Sequence, residues 1–213
     1  MEAERADAIV LRAQPVTESS LVVTWFTREA GKLKTIAKGA RRPKSPLRGK
    51  IDLFYRDEIV FSRSRRSDLH LLRDCFLENA HARLRDSVET LTAASYVTEL
   101  VELITESDDP NAGVFELLSE TLDRLEARVS PVLLLWFELG LLAAAGWRPK
   151  WESRSATGKL LQSLGNARVT GALRVKLTVE QVSDARQDLW RFWDNEVGRA
   201  PRTRRFVAGQ IRG

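Results

Sequence analysis

The chain has 213 residues, 43% hydrophobic and 30% charged, a balance that excludes an intrinsically disordered chain and allows one large folded domain or two small ones. Its net charge of +5 and an isoelectric point near 9.6 favour an anionic partner. A lone cysteine, Cys75, excludes an intramolecular disulfide and a Cys-rich metal site.

Charge is uneven along the chain. Residues 1–80 hold 16 Lys and Arg against 11 Asp and Glu, residues 81–140 hold 4 against 12, and residues 141–213 hold 14 against 6. An acidic block between two basic ones predicts that different faces serve different purposes.

In chain order, the first 77 residues read as β. Residues 8–13 and 21–27 are strand candidates rich in Val, Ile and Leu, joined by a polar turn through Pro15 and Glu18. Residues 32–38 follow Gly31 and alternate imperfectly, with Leu33 and Ile36-Ala37 turned inward. Residues 51–63 alternate over a long stretch, with Ile51, Leu53, Tyr55, Ile59 and Phe61 on one face, and residues 69–76 form a fifth strand. Five short strands separated by turns predict a small barrel. Cys75 falls in the apolar run Cys75-Phe76-Leu77 and reads as a buried thiol.

After Glu78 the period becomes helical. Residues 88–106 place Tyr96, Leu100 and Leu103 on one stripe, and Asp108-Asp109-Pro110-Asn111 breaks the helix. Val114, Leu117, Leu118, Leu122 and Leu125 mark a second helix. Ser130 and Pro131 start a third, apolar all round to Gly146, which predicts the buried centre of the helical part. It is shorter than the roughly 20 residues of a membrane span. Thr178 and Gln181 have capping-box spacing before a last long helix through Val197, and Arg199–Arg205 leads into a short apolar tail. The N-terminal Met-Glu-Ala-Glu-Arg-Ala-Asp lacks a signal-peptide layout, so a cytoplasmic protein is expected.

The main chemical signal is cationic. Residues 27–45 carry Arg28, Lys32, Lys34, Lys38, Arg41, Arg42 and Lys44 against one acid, Glu29, and Arg48 and Lys50 follow. Such a set neutralises phosphates by releasing condensed counterions, giving sequence-tolerant, salt-dependent affinity. The bland alternative is a solvated loop. Arg63, Arg65 and Arg66 either extend the track or decorate an ordinary turn. Trp25, Phe26, Phe54 and Tyr55 are candidate base platforms competing with core roles, and Trp136, Trp190 and Trp193 read as core. Arg199, Arg202, Arg204 and Arg205 suit either an anion or a helix end. Enzyme chemistry finds little support: His70 and His81 have no metal-pair spacing, and no nucleophile elbow, P-loop or dinucleotide fingerprint occurs. No catalytic residue, metal or cofactor is expected.

The chain resembles the RecO family of bacterial DNA-repair recombination mediators. The resemblance runs through Ala8-Ile9-Val10-Leu11-Arg12 and Glu18-Ser19-Ser20. It is densest at Thr27-Arg28-Glu29-Ala30-Gly31-Lys32-Leu33 and Ala37-Lys38-Gly39-Ala40-Arg41-Arg42-Pro43-Lys44-Ser45. It continues at Ala94-Ser95-Tyr96-Val97-Thr98-Glu99-Leu100, Phe137-Glu138-Leu139, Leu141-Leu142 and Gly146-Trp147-Arg148-Pro149. It implies an α+β fold, with an N-terminal OB-fold β-barrel over residues 1–79 that binds DNA and an α-helical, partner-binding domain over residues 80–213. It further implies binding of single- and double-stranded DNA, annealing of complementary strands, and cooperation with RecR. Together these load RecA onto strands coated by single-stranded-DNA-binding protein, whose acidic tail the helical part contacts. A nucleoid-associated cytoplasmic protein that stays off membranes follows.

The DNA-binding set expected on this basis is Arg12, Lys32, Lys34, Lys38, Arg41, Arg42, Lys44, Arg48, Arg63, Arg65 and Arg66. One feature departs from the family. Many members carry a four-ligand zinc module after the Gly-x-x-Pro element, whereas here Pro149 leads to Lys150-Trp151-Glu152-Ser153-Arg154 with no later cysteine. Packing around Trp147 and Trp151 is expected in its place. The competing readings are an RNA-binding OB-fold protein and an adaptor for acidic protein tails.

Overall fold

A computed structural model describes residues 2–152 and 154–210. Strands β1 (Glu4–Pro15), β2 (Leu21–Thr27), β3 (Gly31–Ala37), β4 (Arg56–Ser62) and β5 (Leu69–Asn79) close into a barrel in the order β1-β2-β3-β5-β4. All neighbours are antiparallel except β3 and β5, which run parallel through Lys34↔Leu69, Thr35↔His70 and Ile36↔Leu71. A five-stranded closed barrel ahead of a helical region is the predicted OB-type α+β architecture.

Seven helices follow among the described residues: α1 (Val88–Ile104), α2 (Ala112–Ala127), α3 (Pro131–Ala144), α4 (Ala156–Asn166), α5 (Val169–Ala172), α6 (Val179–Phe192) and α7 (Arg204–Gln210). The chain divides into two compact units. One joins Met1–His81 with Thr105–Phe115, and the other joins Ala82–Ile104 with Glu116–Gly213.

The barrel interior follows from the two-residue period of its strands. Val23 and Trp25 on β2, Leu33 and Ala37 on β3, Ile59 and Phe61 on β4, and Leu72 and Cys75 on β5 all enter one core. Trp25 satisfies its indole by donating Nε1–H to Thr35 Oγ1 at 2.8 Å. Two expectations need correction here. Ile36 does not join the inward set: β3 alternates with Leu33, Thr35 and Ala37 buried and Ile36 partly exposed on the lysine face. The long strand expected over residues 51–63 begins only at Arg56, because turn chemistry takes residues 51–55. The Leu53 amide donates to Asp52 Oδ1, the Tyr55 amide donates to the Asp52 carbonyl, and Phe54 adopts φ +68°.

The helix-breaking segment after Ile104 folds with the barrel. Its Asp108 amide donates to the Lys32 carbonyl at 3.0 Å, and Lys32 pairs with Ser107 in an isolated parallel bridge. In the other unit α3 is buried nearly all round, as its composition predicts. Ser130 is its N-cap residue by backbone conformation, but its side chain makes no capping bond. The capping box of α6 is complete, with Gln181 N–H donating to Thr178 Oγ1 and Thr178 N–H donating to Gln181 Oε1. Helices α4 and α5 occupy a stretch in which periodicity gave no element. Trp136 and Trp193 are core residues, and the Trp147 and Trp151 rings each lie about 6 Å from Phe192, forming the aromatic cluster expected there. Arg199 donates to the Leu103 carbonyl near the end of α1, and Arg204 pairs with Asp194 at 2.7 Å, so these cations serve helix ends and packing.

Candidate nucleic-acid interface

Strand register puts part of the cationic set on one rung of the barrel's outer face. Arg12 on β1 lies opposite Thr24 on β2, and Thr24 lies opposite Lys34 on β3. Residues directly opposite in a ladder share a face, so Arg12 and Lys34 flank Thr24 and both are exposed. A β-bulge between Val10 and Arg12 restores this phase, leaving Leu11 buried as the extra residue. The next rung runs Gln14, Val22, Ile36 and Leu71. The outer face is therefore an apolar strip, partly exposed at Val22, Ile36, Leu69 and Leu71, bordered by cations.

The loop after β3 extends this face. Lys38, Arg41, Arg42, Lys44 and Arg48 are all exposed, while Ala40 and Leu47 plug into the barrel core and pin the loop. Successive four-residue turns order it: Arg42 N–H donates to Gly39 O, Ser45 N–H to Arg42 O, and Arg48 N–H to Ser45 O. Gly39 takes φ +69°, which a glycine adopts without penalty. Arg41 tethers the loop to the β1–β2 turn through its amide, which donates to Ser19 O at 3.0 Å, and its guanidinium, which donates to Thr17 O at 3.2 Å. Arg48 donates to Pro43 O at 3.1 Å. Lys34, Lys38, Arg42 and Lys44 make no ion pair among the described residues, so each presents its charge to solvent.

The remaining residues of the expected set divide. Lys32 turns away from the loop and donates its ammonium to the Thr105 carbonyl. Arg63 is held between carboxylates, donating to Glu4 at 3.0 Å and to Asp108, and these acids raise its pKa further above the usual range. Arg65 and Arg66 sit exposed at the tip of the β4–β5 hairpin, without ion pairs among the described residues. Sequence spacing gave no hint that Asp108, 45 residues away, would take one arginine of this cluster. The apolar strip was legible in principle, since Lys34, Ile36 and Lys38 share a parity.

Of the proposed aromatic platforms, Trp25 and Phe26 are fully buried and Phe54 is 1% exposed, so the core reading holds for all three. Tyr55 alone is partly accessible, packed against the barrel core. Asp57 lies wholly inside the barrel unit, where burial pushes its carboxyl up to about 7 against the opposing pull of the Cys75 thiol. Burial, reinforced by Asp57, raises the Cys75 thiol in turn, which leaves an inert thiol rather than a nucleophile.

In the helical unit a second cationic feature stands apart. A cavity of about 740 Å³ is lined by Arg124, Arg128, Arg174 and Lys176 over an apolar floor that includes Leu133 and Val175. Arg124 is paired with Glu120 at 2.9 Å, whereas Arg128, Arg174 and Lys176 carry no ion pair among the described residues. No helix among the described residues is long and apolar enough to cross a membrane.

Comparison with known proteins agrees in both halves. The family model described as Recombination protein O N terminal matches residues 1–81, and the one described as Recombination protein O C terminal matches residues 85–168. A curated relative, DNA repair protein RecO of Pelotomaculum thermopropionicum, is 36% identical over 152 residues, covering 71% of this chain and 59% of that protein. DNA repair protein RecO of Desulforamulus reducens is 31% identical over 158 residues, covering 74% and 61%. DNA repair protein RecO of Salinibacter ruber is 36% identical over 132 residues, covering 62% and 51%. The chain thus spans between about half and three fifths of the length of these relatives.

Proposed function

The chain belongs to the RecO family of DNA repair proteins, and from that premise we propose that it binds single- and double-stranded DNA and promotes annealing of complementary strands. The observation that carries this reading is the pinned loop: Lys38, Arg42 and Lys44 are exposed, make no ion pair among the described residues, and follow the strand that carries the Arg12–Thr24–Lys34 rung. Phosphates of two strands meet one cationic surface, which screens the repulsion that opposes their pairing. Sequence is read by the bases of the two strands. No bond is made or broken, so the action needs neither a catalytic group nor a cofactor.

In cells the activity serves recombination: with RecR, the protein helps load RecA onto single strands coated by single-stranded-DNA-binding protein. The cationic cavity of the helical unit suits the acidic tail of that coating protein, since three cations without ion pairs among the described residues surround an apolar floor. Nucleoid association follows from DNA binding. The test is annealing of two complementary fluorescent strands by the wild type and by a variant carrying Arg41→Glu, Arg42→Glu and Lys44→Glu. The wild type accelerates annealing, and the folded variant has lost the acceleration. An equally active folded variant would remove the loop from the mechanism.

A further inference from the structure

The exit of β3 and the β4–β5 hairpin border a solvent-open cavity of about 390 Å³ in the barrel unit. That volume lies at the small end of the roughly 300–1,000 Å³ that holds a single small molecule, and is far too small for a strand. Ile36, Leu69 and Leu71 supply apolar wall, while Lys38, Arg65 and Arg66 supply charge. The short parallel pairing explains the wall: Ile36 faces Leu71 and the adjoining rung brings Leu69 beside Lys34, so these side chains leave the barrel on one face.

Stacking and hydrogen bonds hold the rim. His70 is 5% exposed, stacks on Phe61 with centroids 6.0 Å apart, and accepts the Ser64 amide at Nδ1. Ser64 Oγ in turn accepts the Arg66 amide at 3.2 Å. Arg63 is neutralised by Glu4 and Asp108, so it shapes the rim rather than adding net charge. The charge left for an anion is that of Lys38, Arg65 and Arg66.

We propose that this cavity holds one unstacked nucleotide of a bound single strand, with its base against Ile36, Leu69 and Leu71 and its flanking phosphates on Lys38, Arg65 and Arg66. The inference rests on the DNA-binding reading and deepens it. A cavity for phosphate alone would have no use for three aliphatic side chains, whereas a base has two apolar faces to bury. A duplex cannot fill the cavity, because its bases are already stacked and paired. The site therefore favours single strands by a base-dependent contribution that the loop's phosphate contacts lack.

The test compares three fluorescent ligands at one salt concentration: a 15-nucleotide thymidine strand, the same backbone made wholly abasic, and a 15-base-pair duplex. The wild type binds the thymidine strand roughly tenfold more tightly than the abasic strand. Leu71→Gln keeps the charge, adds no ring on which a base could stack, and takes away part of the apolar wall; it lowers that difference severalfold. Arg65→Gln with Arg66→Gln weakens all three ligands. Equal wild-type affinity for thymidine and abasic strands overturns the proposal, and that comparison needs no variant to fold. A folded Leu71→Gln protein that keeps the full preference overturns it too, by putting the base elsewhere. Binding of none of the three ligands by the wild type would instead sink the DNA-binding reading on which the proposal rests.

Discussion

The α-carbon of Gly31 faces the Asp109 backbone so closely that a β-carbon on residue 31 would lie 2.2 Å from the Asp109 carbonyl oxygen. Gly31 also has φ +67°, so it meets two demands at once: a left-handed turn into β3, and close approach of the segment that returns to the barrel. Gly31→Ala should destabilise the protein by about 2–4 kcal/mol, from the left-handed conformation and the overpacking together. Urea unfolding checks this through a lower midpoint at unchanged slope. An unaffected midpoint would mean that the segment shifts freely.

Arg63 should separate from its neighbours in function. Because Glu4 and Asp108 already hold it, Arg63→Gln should cost about 1 kcal/mol of stability or less, as partly exposed pairs do, and change duplex DNA affinity little. Arg65→Gln and Arg66→Gln should do the reverse. Paired urea titrations and anisotropy measurements distinguish the two patterns.

Stability should fall as pH rises from 5 to 8. Asp57 and Glu138 are both pushed up to about 7, chiefly by burial, so the folded protein retains protons that the unfolded chain has released above pH 4. The folded state is favoured fully below about pH 4, and that advantage shrinks progressively as pH approaches 7. The expected loss attributable to Asp57 is of order 2–4 kcal/mol, and Asp57→Asn should remove it. Urea midpoints at pH 5 and pH 8 read the effect, and an Asp57→Asn protein with the wild-type pH slope would refute the assignment.

The helical-unit cavity predicts a separable peptide site. Arg128→Glu with Arg174→Glu should weaken binding of a fluorescent acidic peptide at least about tenfold, since like charges then face each other. Affinity of the same variant for DNA should change far less. Undiminished peptide binding would place the acidic partner elsewhere.

Much of the fold was legible because it is local. The valine- and isoleucine-rich strands, the all-apolar α3 and the Thr178–Gln181 capping box each state their conformation within a few residues. What escaped was long-range or turn-driven. Residues 51–55 alternate like a strand, yet Asp52 offers the backbone a turn instead. Nothing near Asp108 announces that it returns to Lys32 and Arg63. The loop cations were plain in the sequence, but which of them are unpaired depends on acids supplied by other strands and segments. Likewise, the cavity beside Ile36 depends on β3 meeting β5, a pairing between strands distant in the chain.

The most direct test of the central claim is anisotropy of a fluorescent single strand over a salt series. With Lys34, Lys38, Arg42, Lys44, Arg65 and Arg66 each neutralising about one phosphate, log affinity should fall against log salt with a slope of about −4. Replacing Lys38, Arg42 and Lys44 by Gln should bring that slope to about −2. No binding at low salt, or a slope unchanged by the three replacements, would contradict a cationic DNA-binding face on this barrel.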